Sequence, residues 1–101
     1  MNASENPATW KPTDDVPTSG SLNAAEVRAL PESAFAFPRL RKEPMTDASH
    51  VRSALARFNQ VSGASDADRD LAFANIKKAA GHFSIHLSET DWRRLGPVRS
   101  S

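Results

Sequence analysis

The groups best suited to chemistry are three histidines, a run of cations before the middle of the chain and one tryptophan near its start. His82-x-x-x-His86 has the spacing that stacks two imidazoles on successive turns of a helix, as in metal-binding helices. The glutamate that follows the first histidine of a zinc-protease helix is absent, because Phe83 stands there. Gly81 breaks the helix beside the pair. A third ligand would have to be His50, Glu89 or Asp91, and no spacing demands any of them. We therefore expect no metal site and no cofactor. A second constellation gathers Arg39, Arg41 and Lys42 with His50 and Arg57 further on. The last two are seven residues apart and share one stripe of a helix. Together the five residues form a basic patch for an anion or phosphate. The competing reading bonds His50 within its own first helical turn and lays the arginine stems over Phe58 and its neighbours. Trp10 is the third feature: a lone large aromatic in a polar segment, the anchor of a tail that folds on a partner, or part of a solvated extension. No Ser/His/Asp set, glycine loop for phosphate or catalytic carboxylate pair stands out in a chain with four glycines and no cysteine. The expectation is a protein that is not an enzyme.

Composition narrows the classes. The 101 residues carry a net charge of +1 and a mean hydropathy of −0.53. No apolar run approaches the ~18 residues that a membrane helix needs. Met1 to Trp10 lacks the basic and apolar regions of a secretory signal, so the cytoplasm is the expected compartment. Residues 1–20 hold Glu5, Asp14 and Asp15 against Lys11, a net of −2, which leaves +3 for residues 21–101. That excess is mild for a nucleic-acid-binding domain.

The elements that must position these groups are short. Residues 1–20 contain Pro7, Pro12 and Pro17 among polar residues. They read as a disordered tail, removable without loss of stability, because so few apolar groups cannot offset roughly 1–2 kcal/mol of backbone entropy per residue. A short helix follows, capped by Asn23 with Glu26 three residues on and stopped by Pro31. Ala34 to Pro38 alternates phenylalanine with alanine. No second segment of that kind exists, so it reads as an extended strap without a sheet partner. A helix capped by Thr46 or Asp47 places Ala48, Val51, Leu55 and Phe58 on one face and runs to Val61. Another, capped by Ser65 with Asp68 three positions later, places Ala72, Phe73, Ile76, Ala79, Ala80 and Phe83 on one arc and ends at Gly81. Leu71, Asn75, Lys78 and His82 fall on its polar side. A last short helix begins at Ser88 and places Trp92 and Leu95 toward the core. The helix–turn–helix outline of residues 47–81 is an ordinary hairpin, because Asp66, Asp68 and Asp70 occupy the positions that would face a polyanion.

Several blocks together resemble a known family. They are Phe35-Ala36-Phe37-Pro38, Arg41-Lys42-x-Pro44, Asp47-Ala48-Ser49-His50-Val51-Arg52, Ala54 to Gln60, Asp66-Ala67-Asp68-Arg69 and Ile76-Lys77-Lys78-Ala79-Ala80. The likeness runs over residues 22–85 and is to an uncharacterised helical domain of actinobacterial and phage proteins. In some of these a similar segment is appended to a prohead protease or another head-maturation protein. His82-Phe83-Ser84-Ile85 departs from the family pattern. The resemblance implies a phage-derived or host-encoded accessory protein and no established activity.

The expected fold is all-α: a disordered tail over 1–20, a small helical domain over 21–96 and a flexible end over 97–101. The expected function is a non-enzymatic protein-interaction or accessory module with an unknown protein partner and no membrane partner. The alternative is a nucleic-acid-binding accessory protein using the basic face of residues 39–57.

Overall fold

The computed structural model describes residues 8–12 and 23–87. Helix α1 (Ala24–Ala29) opens with the expected capping box. Asn23 Oδ1 accepts from the Glu26 N–H at 2.8 Å, and Glu26 Oε1 accepts from the Asn23 N–H at 2.9 Å. None of its residues is buried. Leu30 just beyond it is buried, in a small cluster with Ala34 and Phe35. Pro31 ends the helix, and a 3₁₀ turn (Glu32–Ala34) leads into strand β1 (Phe35–Phe37).

Strand β1 has a partner, which corrects the all-α expectation. It pairs antiparallel with β2 (Lys42–Pro44), Phe35 opposite Pro44 and Phe37 opposite Lys42. The fold is mixed α/β, with three helices and a two-stranded sheet among the described residues. The cause is tertiary. Lys-Glu-Pro contains residue types depleted in strands, yet β1 is wholly buried and supplies the apolar template. Met45 next to β2 is fully buried, and its N–H donates to Ala34 O at 2.8 Å. The reversal at Pro38–Arg41 closes through Leu40 N–H to Phe37 O at 3.2 Å and Arg41 N–H to Pro38 O at 3.2 Å.

Helix α2 (Ala48–Ala56) is capped by Asp47, not Thr46, and buries Val51 and Ala54. It stops short of Val61. A 3₁₀ turn (Phe58–Gln60) follows and carries Phe58 into the core. Ring centroids there lie 5.6 Å from Phe37 and 6.0 Å from Phe73. Helix α3 (Asp66–His82) starts at the Ser65–Asp68 capping box. It does not end at Gly81. The Ile85 N–H bonds Ala80 O at 2.8 Å and the Ser84 N–H bonds Gly81 O at 3.4 Å. These are the two bonds of a Schellman closure, with Ser84 in the left-handed region at φ 61.

The last correction concerns the start of the chain. Ala8 to Pro12 forms an arm on the folded body, and Trp10, 1% exposed, is part of the main core with Phe37, Met45, Val51, Phe58, Phe73 and Ile76. Proline and polar residues around one tryptophan looked too weakly apolar to fold. The buried ring, worth about 1.5–3 kcal/mol in transfer free energy, is joined by hydrogen bonds from the Thr9, Trp10 and Lys11 N–H groups and the indole to the body. The rest of the 1–20 tail, the expected helix from Ser88 and the 97–101 end lie outside the described residues.

Candidate functional site

The five residues of the expected basic patch take different partners within the chain. Arg39 is turned toward helix α3, where its Nε donates to Asp68 Oδ1 at 3.0 Å and its Nη2 to Asp68 Oδ2 and, at 3.2 Å, to Gly63 O. Asp68 is thus shared between a guanidinium and the cap of α3. The Arg39 hydrogen bonds, with those from Ser65, hold its carboxyl well below the usual carboxylate range. Arg41 reaches back to α1, whose last carbonyls lack partners within the helix. Its Nη2 donates to Leu30 O at 2.8 Å, Val27 O at 3.2 Å and Arg28 O at 3.3 Å, and its guanidinium lies 4.6 Å over the Phe35 ring. His50 Nδ1 is 2.8 Å from Asp47 Oδ1, which also accepts the His50 N–H at 2.8 Å. Both groups serve the first turn of α2.

Lys42 and Arg57 do come together. They line an open cleft of about 170 Å³ with Glu43, Gln60, Val61 and Ser62. Arg57 Nη1 lies 4.0 Å from Glu43 Oε1. Burial pushes the Glu43 carboxyl above the ordinary carboxylate value, against the pull of Arg57, Lys42 and His50. Glu43 also sits at φ 60, a left-handed conformation that a non-glycine residue adopts at a cost of roughly 1–2 kcal/mol. Two cations, one half-buried carboxylate and an amide make a surface of mixed sign. Nothing in Lys-Glu-Pro marked Glu43 in the sequence, because a charged residue before proline reads as exposed linker.

Trp10 occupies the second site. The indole Nε1–H donates to Met45 O at 3.0 Å, and its ring meets His82 edge-on at 5.5 Å and Phe83 at 5.8 Å between centroids. Asn75 holds the backbone of the arm. Its Oδ1 accepts the Thr9 N–H at 2.7 Å and the Trp10 N–H at 2.9 Å. Its Nδ2 donates to Ala36 O at 3.0 Å and to Thr9 Oγ1 at 3.2 Å. Asn75 is completely buried, although the sequence placed it on the polar side of its helix. The arm bonds Asn75 and meets His82 on that side, while Lys78 stays exposed. The signal was an asparagine at the margin of the apolar arc of α3, where a solvated lysine or glutamate would serve equally well in the absence of a backbone partner.

His82 contributes its ring to the Trp10 contact. Among the described residues no group of three or more His, Cys, Asp or Glu side chains could hold a metal ion, and Glu89 and Asp91 lie outside them. No helix of the described residues is long and apolar enough to cross a membrane. Neither a curated protein nor a solved structure matches the chain. A family model does, over residues 14–90, a span that starts just past the arm. The chain belongs to DUF6582, a family of unknown function.

Proposed function

We propose that the chain is a small, non-enzymatic protein-interaction module of the cytoplasm. The observation that supports this most is where the cations go. Arg39, Arg41 and His50 are each tied to a partner within the chain, and the cleft that holds Lys42 and Arg57 also holds a carboxylate. A polyanion binds by neutralising phosphates, and the half-buried Glu43 beside Lys42 and paired with Arg57 opposes that. A protein segment with both donors and acceptors suits the cleft better. The likeness to segments appended to phage head-maturation proteins favours an accessory role of the same kind.

The test is capture from nuclease-treated host lysate with two baits, the native chain and a Lys42→Glu, Arg57→Glu double variant. The expected result is a salt-resistant protein partner retained by the first and lost by the second. Retention of nucleic acid from untreated lysate, with no protein partner, would overturn the reading in favour of nucleic-acid binding by residues 39–57.

A further inference from the structure

The arm is held the way a recognition groove holds a peptide. Its partners all lie on the body: Asn75 and the His82–Phe83 pair of α3, the Met45 carbonyl after β2, and Ser33 O, which accepts the Lys11 N–H at 3.0 Å. The body elements also pack on one another, α3 on β1, α2 on α3 and on β2. The family match covers the body and begins after the arm. The groove reads its occupant in specific terms. Asn75 Oδ1 accepts two consecutive backbone N–H groups, its Nδ2 donates to a hydroxyl oxygen, Met45 O accepts an indole N–H, and two rings meet the indole edge-on.

We propose that this groove also accepts the Ala8–Pro12 arm of a second copy of the chain, so that two copies exchange arms. This contact goes beyond the interaction-module reading and uses none of the residues that line the Lys42–Arg57 cleft. The fit favours a second copy, since this chain's own Thr9, Trp10 and Lys11 meet the Asn75 amide, Met45 O and Ser33 O. Exchange therefore forfeits no contact, which makes such swapping a low-cost route to a dimer. Reach is sufficient. The ten residues 13–22 join arm to body, and at about 3.3–3.6 Å per residue they span up to ~35 Å when extended. The chain itself measures 36 Å in its longest dimension. A short tether gives the cis arm a millimolar effective concentration, so the exchanged dimer grows with chain concentration and where the cis arm or cis groove is disabled.

Two full-length variants separate arm from groove. Trp10→Ala keeps the groove and spoils the arm; Asn75→Ala keeps the arm and spoils the groove. Mixed, they are expected to give a heterodimer in native mass spectrometry and a melting component above that of either variant alone. A mixture that behaves as the sum of its parts overturns the proposal. Isotope-labelled and unlabelled native chains, mixed at millimolar concentration, provide a second measurement that needs no variant to fold. Mixed-mass dimers are expected, and monomers alone overturn the exchange. A synthetic peptide of residues 6–14 that stabilises Trp10→Ala while no heterodimer forms would also overturn it. That result would leave the interaction-module reading standing, which fails separately through the Lys42/Arg57 bait.

Discussion

Asn75→Ala is the sharpest perturbation, because sequence and structure assign the residue opposite environments. On the solvated side of a helix, an Asn to Ala change alters stability by no more than about 0.5 kcal/mol. In the structure the amide is fully buried and its loss orphans three backbone groups. Thr9 is exposed, so its N–H can turn to water. The Trp10 N–H and the Ala36 carbonyl belong to buried residues. Each buried orphan costs about 1–3 kcal/mol, so the expected loss is about 2–6 kcal/mol. For a domain of this size that lowers the melting temperature by about 8 °C or more. The assay is urea unfolding followed by far-ultraviolet circular dichroism, with Lys78→Ala, at an exposed position of the same helix, as control. A loss of less than about 0.5 kcal/mol in Asn75→Ala, matching the control, would refute the buried clamp.

Three further outcomes follow from the same structure. Trp10→Ala should lower stability by about 3–5 kcal/mol, as truncation of a buried aromatic does, and deletion of residues 1–12 should lower it at least as much; an unchanged urea midpoint in either would return the arm to solvent. Ser84→Gly should raise the melting temperature, by about 0.5–1 kcal/mol of stability, because glycine relieves a left-handed residue at a helix C-terminus; a fall would contradict the Schellman closure. The Asp68 carboxyl titrates below its unfolded value of about 3.9, so the folded state binds fewer protons than the unfolded one through that range. Its stabilisation is complete above about pH 4 and fades as pH falls toward the depressed folded value. Asp68→Asn should therefore flatten the acid limb of the stability profile, and a native-like acid limb in the variant would count against the Arg39–Asp68 pair.

Local signals in the sequence were legible wherever the chain satisfies its own backbone nearby. The Asn23–Glu26 and Ser65–Asp68 boxes are contacts across three residues, and both form as read. Val51 on α2 and Phe73 and Ile76 on α3 sit in the core, on the faces that helical spacing marks as apolar. Apart from the helix ends near Val61 and Gly81, what the sequence missed is long-range. Lys42–Pro44 becomes a strand through its register with Phe35–Phe37, which no property of the tripeptide announces. Asn75 bonds residues 39 and 65–66 positions away, so its type alone read as solvated. Trp10 needs Met45 and His82 for its pocket. The partners of the basic residues are long-range too. Spacing put Arg39, Arg41 and Arg57 near one another, but only the fold brings Asp68, the α1 carbonyls and Glu43 against them.

Hydrogen exchange at the indole nitrogens tests the docked arm most directly. The chain has two tryptophans, and the Trp10 resonance is identified by its disappearance in Trp10→Phe. With Nε1–H donating to Met45 O inside the core, the Trp10 indole should exchange far more slowly than a free indole and lose that protection in Asn75→Ala. Exchange at the free rate in the native chain would show that the arm does not dock, and the groove proposal would fall with it.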